Sequence, residues 1–223
     1  MPRVLVTGAG RGIGLEFARQ YRGAGWEVIA TCRNAEAVAT LEALGCETAI
    51  LDMTDGTAID VFAAGIPAQS LDLAILNAGI SGSRTPVLEP TSAQDFDAVM
   101  RTNVFGPMRL VAALADRVAK GGRIAVLSSR MGSVGLTANG RSALYRASKA
   151  ALNAVARAAA IELAPRGVIV VVLSPGWVKT DMGGLQADID VTTSVTGMRA
   201  AILRTATADS GRFVDYADTA IVW

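Results

Sequence analysis

Short apolar runs that are continuous rather than alternating punctuate the chain: Val4 to Thr7, Val28 to Thr31, Thr48 to Leu51, Leu73 to Leu76, Ile124 to Leu127 and Ile169 to Leu173. A strand reads this way when both of its faces are covered, which is the situation inside a parallel sheet. Helical patterns fill the intervals, over residues 13 to 24, 35 to 44, 55 to 64, 92 to 119 and 142 to 164. Strand and helix in strict alternation predict an α/β architecture, a doubly wound parallel sheet with helices on both faces. The length of 223 residues suits one domain, 1 to 223, built on a substantial core. No repeat, low-complexity tract or charge block marks a boundary. Thr91-Ser92, with Asp95 three residues past Ser92, reads as the N-terminal cap of the fourth helix. That helix is unusually long and carries Asn103 near its middle.

The first apolar run leads directly into Thr7-Gly8-Ala9-Gly10-Arg11-Gly12-Ile13-Gly14 and then into a helix. Residues without side chains let the backbone turn sharply and approach a pyrophosphate, while the helix N-terminus offers free amides and a favourable dipole. A tight turn alone would also use glycine, but after strand one of this alternation the loop reads as a dinucleotide site. The second run ends in Thr31-Cys32-Arg33. No acid stands where a carboxylate would bind a free ribose 2′-hydroxyl. Arg33 and Arg11 could instead clamp a 2′-phosphate, favouring NADP(H) over NAD(H); the competing reading is two ordinary surface arginines.

Tyr145 and Lys149 stand four residues apart in Tyr-Arg-Ala-Ser-Lys, so on a helix they share a face. An ammonium within about 4 to 6 Å of a phenol favours phenolate and brings tyrosine closer to working pH, which makes it a plausible proton donor. Composition narrows the rest. There is no histidine, so histidine-dependent nucleophile arrangements and histidine metal sites are excluded; no metal is expected. Lys+Arg of 21 against Asp+Glu of 20 gives a net charge of +1, which offers no field for nucleic acid or an acidic membrane. Cys32 and Cys46 read as free thiols of a reducing cytoplasm. The first residues run into a strand without room for a leader, and the longest apolar run, Val168 to Leu173, is far below the ~20 residues of a membrane span. A soluble, cytoplasmic protein is the expectation.

Taken together, Gly8, Gly12 and Gly14, Asn77-Ala78-Gly79, Ser128-Ser129, Tyr145-x-x-x-Lys149 and Pro175-Gly176 resemble the short-chain dehydrogenase/reductase family, in its order and over nearly the whole chain. The segment Ser174-Pro-Gly-Trp-Val-Lys-Thr-Asp-Met-Gly-Gly184 is similar to the small carbonyl-reductase branch that includes the sniffer and C-factor proteins. The resemblance implies a Rossmann-type fold and a catalytic group of Asn103, Ser129, Tyr145 and Lys149. Tyr145 would donate the proton, Lys149 would lower its pKa and bond the nicotinamide ribose, Ser129 would hold the substrate oxygen, and Asn103 would support a water. Ser129 is preferred to Ser128 because the second serine matches the family pattern, and neighbours on a strand point opposite ways.

The resemblance also implies cofactor contacts from Gly8, Arg11, Gly12, Ile13, Gly14 and Arg33, from Asp52 and Met53 at the adenine, from Asn77, Ala78 and Gly79, from Tyr145 and Lys149, and from Pro175, Gly176, Val178 and Thr180 around the nicotinamide. Asp52 is equally compatible with a helix cap. The interval from Ser129 to Tyr145 is 16 residues, longer than the commonest family pattern. Arg130, Met131 and Leu136 in this enlarged loop either line the substrate pocket or face solvent, and Ser133 competes with Ser129 as the acting hydroxyl. A substrate lid is expected at 181 to 205, beginning with Trp177 and Met182 and hinged at Gly183 and Gly184. Alanine-rich stretches Val111 to Ala119 and Ala150 to Leu163 suit close helix packing, and the resemblance implies a homodimer or homotetramer through them. The expected activity is reversible NADPH-dependent reduction of a ketone or aldehyde. The alternative is an NADP(H)-binding sensor or signalling protein with incidental turnover.

Overall fold

A computed structural model describes residues 1 to 223. The apolar runs form β1 (Arg3–Val6), β2 (Glu27–Cys32), β3 (Glu47–Ile50), β4 (Leu71–Leu76), β5 (Val118–Leu127) and β6 (Ile169–Ser174), and β7 (Arg212–Asp215) completes the sheet. All pairs are parallel, in the order β3-β2-β1-β4-β5-β6-β7. Between them run α1 (Gly12–Gly23), α2 (Ala35–Ala43), α3 (Gly56–Ala64), α4 (Ala93–Met100), α5 (Gly106–Leu114), α6 (Ala143–Leu163) and α7 (Val191–Arg204).

Alternate residues of each strand feed opposite cores. Leu5, Ile29, Leu76, Ile124 and Val172 pack with α3, α5 and α6 on one face, whereas Val4, Val6, Val28, Ile75 and Val171 pack with α1, α2 and α7 on the other. The chain reverses its winding between β1 and β4, which opens a crevice at the carboxyl ends of these strands.

Three departures from the sequence reading bear on the site. The long helix expected over 92 to 119 is two helices joined by a π-helical turn, Arg101–Phe105, and residues from Val118 onward are already strand. Pro107 in the first turn of α5 has no N–H to give, and an added Cβ on Gly106 would lie 2.9 Å from Met53 Cβ, so the helix must re-aim there. Most of the span 181 to 205 expected as a lid is helical: Val191 onward is α7, whose Val195, Met198 and Ala201 are buried. Its Val-Thr-Thr-Ser-Val-Thr-Gly opening is rich in β-branched residues of low helix propensity, and tertiary burial overrides it. β7 also went unforeseen, since its two buried apolar residues are too few to register as a run.

Candidate active site

The glycine loop is fixed from below by the neighbouring strand. Thr7 Oγ1 donates to Ile75 O (3.4 Å) and accepts from Asn77 N (3.1 Å). Asn77 Nδ2 donates to both Thr7 O and Gly8 O at 3.0 Å. Gly8 has φ +65°, and an added Cβ would sit 2.8 Å from Ala78 Cα, so only glycine fits. The start of α1 is left open: Arg11 makes no side-chain cap and the first turn holds no acid. Its orphan amides and helix dipole suit a pyrophosphate.

Around this loop the other expected cofactor residues divide. Arg33 is exposed at the end of β2, and its charge helps to hold Asp52 below the usual carboxylate range, after the larger effect of the Thr54 backbone N–H. Asp52 Oδ1 accepts from Thr54 N and Thr54 Oγ1, both at 2.8 Å. The capping alternative belongs to another residue, since Asp55 caps α3 by accepting from Ala58 N. Met53 is core, 3% exposed, so its side chain does not present itself to a ligand. Arg11 reaches across to Asp181, Nη1 to Oδ2 at 2.8 Å, in an exposed ion pair. Ile13, Pro175, Gly176, Val178 and Thr180 line the cleft.

The proposed catalytic side chains converge at the mouths of β4 and β5. Ser129 faces Tyr145, and its hydroxyl is the one interaction that pulls the phenol back down against burial; both line a cavity of about 760 Å³. Ser128 turns inward, its Oγ donating to Asn153 Oδ1 at 2.5 Å. Ser133 is buried, with Oγ donating to Trp223 O and accepting from Leu136 N. The pattern-based choice among the three serines therefore agrees with which hydroxyl meets the phenol.

Lys149 lies on the same face of α6, its Nζ 5.8 Å from the Tyr145 ring centroid and donating to Leu127 O at 2.9 Å. Burial pushes Tyr145 up to about 12 and Lys149 down to about 8: removal from water disfavours the charged form of each. Asn103 is fully buried in the π-helical turn. Its Nδ2 donates to Ile80 O (2.8 Å) and Ser148 Oγ (3.0 Å), and its Oδ1 accepts from Ile80 N (2.9 Å). Its amide donors are spent on Ile80, just after Asn77-Ala78-Gly79, and on Ser148 of α6, so the side chain itself does not enter the cleft.

Arg130, Met131 and Leu136 of the enlarged loop all line the cavity, as do Trp177 and Met182. Arg84, Arg146, Asp188 and Tyr216 line it as well and were not anticipated. Arg84 hydrogen-bonds Met182 O, and Trp177 Nε1 donates to Gly183 O at 2.8 Å. No motif marks these residues; only the closure of four segments over one crevice brings them together.

The model of the short chain dehydrogenase family matches residues 2–189. The C-signal protein of Myxococcus xanthus is 38% identical over 164 residues, 73% of this chain and 98% of that protein. Among solved structures, the carbonyl reductase Sniffer of D. melanogaster superposes with a TM-score of 0.91 at 30% identity, covering 100% of both chains. A carbonyl reductase from Pseudomonas aeruginosa PAO1 in complex with NADP gives a TM-score of 0.87 at 34% identity, again covering 100% of both. With that architecture and these relatives, the chain belongs to the short-chain dehydrogenase/reductase family of oxidoreductases, on its carbonyl-reductase branch.

Proposed function

We propose that the protein is an NADP(H)-dependent reductase that converts a ketone or aldehyde to an alcohol, reversibly, with Tyr145 as proton donor. The observation that carries this reading is the Ser129 hydroxyl facing the Tyr145 phenol on a cleft wall, with the Lys149 ammonium behind it. The uncapped first turn of α1 would hold the pyrophosphate. Arg33 and Arg11 would hold a ribose 2′-phosphate, Asp52 would flank the adenine, and Asn77 to Gly79, Lys149 and Pro175 to Thr180 would flank the nicotinamide riboside. When bound, this dinucleotide supplies the hydride.

The chain's own residues do the rest. Ser129 holds the carbonyl oxygen where negative charge develops. Tyr145, neutral at ordinary pH because burial holds it at about 12, gives its Oη proton to that oxygen. The phenolate left behind is faced by Lys149, which is still protonated below about pH 8. Asn103 keeps Ile80 and Ser148 in place, and so holds α6 against the cleft floor. Several apolar side chains, including Met131, Leu136 and Trp177, suit a small, fairly apolar carbonyl compound.

The test is NADPH oxidation across a panel of ketones and aldehydes, repeated with Tyr145→Phe. Turnover should fall by about 10²- to 10⁴-fold while NADPH binding persists. Equal or better use of NADH would overturn the NADP(H) assignment. The likeness to C-signal favours a second reading, an NADP(H)-binding signalling protein with incidental turnover. That reading gains if NADPH binds and no carbonyl or alcohol reacts. Met108 of α5 and Ile161 of α6 are exposed on the helices proposed to join a homodimer or homotetramer, which sedimentation would detect.

A further inference from the structure

At the opposite end of the sheet from Tyr145, beneath the amino ends of β1 and β4, lies a second cavity of about 590 Å³. Its walls combine two aromatic rings with three cations. Tyr21 and Trp26 meet edge to face, centroids 4.9 Å apart, and Lys120, Arg123 and Arg199 border the same space. The only acid on the lining is Asp72, and it already accepts from Arg3 N at 2.7 Å. Tyr21 brings no compensating charge, because burial pushes its phenol up to about 12 against the pull of both arginines.

Neither guanidinium is satisfied by the protein. Arg199 stacks 4.5 Å over the Tyr21 ring and gives Nη1 to Gln20 Oε1 at 3.0 Å, but its buried Nε has no partner. Arg123 is held by three long contacts to carbonyls, Gly121 O and Leu203 O at 3.5 Å and Thr205 O at 3.4 Å, and its buried Nε is also without a partner. Contacts of that length add little, and a buried donor left unmade is costly. Turning either guanidinium toward an acceptor in the cavity would relieve both conditions. Lys120 is exposed and makes no ion pair.

We propose that this cavity binds a small aromatic anion, a flat ring carrying a carboxylate or phosphate, at a site separate from the crevice that faces Tyr145. Trp26 takes the flat apolar body, since offset and edge-on ring contacts are favourable, while Tyr21, 4% exposed and covered by Arg199, backs it. Arg123 and Arg199 take the acid group through paired N–H donors, the geometry guanidinium offers to carboxylate and phosphate alike. Lys120 adds a point charge at the rim.

Titration calorimetry with 2-naphthoate and with phenyl phosphate tests this on the full chain, with naphthalene-2-carboxamide as the uncharged control. Both anions should bind at or below about 1 mM, and the carboxamide at least about tenfold more weakly. Arg199→Met and Arg123→Met keep the apolar stem while removing the charge, and each should weaken anion binding about tenfold or more. Should either variant melt before titration, Lys120→Met, at an exposed position, should still weaken binding about threefold. Absence of anion binding, equal binding of the carboxamide, or affinity indifferent to these substitutions would overturn the proposal, the last because the probe would then be in the other cleft. None of these outcomes depends on whether the protein reduces carbonyls.

Discussion

The two walls of the main cleft are made in different ways. On the glycine-loop side, Thr7, Gly8 and Asn77 are joined by short hydrogen bonds between backbone and side chain that pass from β1 to β4. On the opposite side, the segment 177 to 190 is latched by side chains at the surface: Arg11 with Asp181, Arg84 with Met182 O, and Trp177 with Gly183 O. The first wall is a fixed framework, which suits the dinucleotide proposed above. The second is held by weak, exposed contacts that change at small cost to folding, which is where the choice of substrate can vary.

Ser129, where the second wall meets α6, should give the largest effect. Ser129→Ala is expected to lower carbonyl turnover by about 10²- to 10³-fold, while Ser133→Ala lowers it much less, because its hydroxyl is spent on Trp223 O and Leu136 N. A larger loss from Ser133→Ala in steady-state assays would reassign the hydroxyl. Asn77→Ala comes next. It strands Thr7 O and Gly8 O and should cost about 1 to 3 kcal/mol in denaturant unfolding, with weaker NADPH binding.

Lys149 gives the comparison a pH axis. Its folded value of about 8 lies below its ordinary 10.5, so the folded protein binds fewer protons than the unfolded chain between these limits. Stability should therefore rise as pH goes from about 8 toward 10.5, a gain that melting curves would show. Above about pH 10 Tyr145 opposes this, because the unfolded phenol ionises before the buried one, at about 12. Over the lower part of the same window, kcat/KM for reduction should fall as the phenolate loses its facing charge. Lys149→Met should remove that pH limb and leave a lower plateau.

The smallest effects belong to the surface latch. Asp181→Ala should change stability by less than ~1 kcal/mol. By freeing Arg11 it should tighten NADPH binding up to about fivefold and leave NADH binding unchanged. If both dinucleotides respond equally, Arg11 is not reading the 2′-phosphate.

Much of the first wall was legible in the sequence, because its constraints are local. A continuous apolar run states that a strand is buried, and a glycine with φ +65° against Ala78 leaves a visible mark. That Ser129, Tyr145 and Lys149 would be neighbours was legible for the same reason, one being tied to a strand end and two to one helical face; their roles are those proposed above. The upward push of burial on the phenol was not, since desolvation depends on what packs around a group and spacing does not report it. Nor were α7, β7, Arg84 or Tyr216, whose places are set by contacts between segments distant along the chain. Asn103 was identified while the turn holding it was missed: apolar periodicity continues across a π-helical turn, and only Gly106-Pro107 hints at the interruption.

That turn has a consequence for what this chain tolerates. The Gly106 N–H bonds to Arg101 O, five residues back, so the segment holds one residue more than a regular α-helical turn would use. Removing one residue between Arg101 and Phe105 would restore the ordinary hydrogen-bond ladder and leave α5 close to its present phase, because the wide turn is what takes up the extra residue. Leu110 and Leu114, both fully buried, would keep their places, but Asn103, which the wide turn aims at Ile80, would lose that aim. Substitutions at the exposed Arg101 should be absorbed, while a one-residue deletion should not. In this stretch, selection is expected to guard chain length more strictly than side-chain identity.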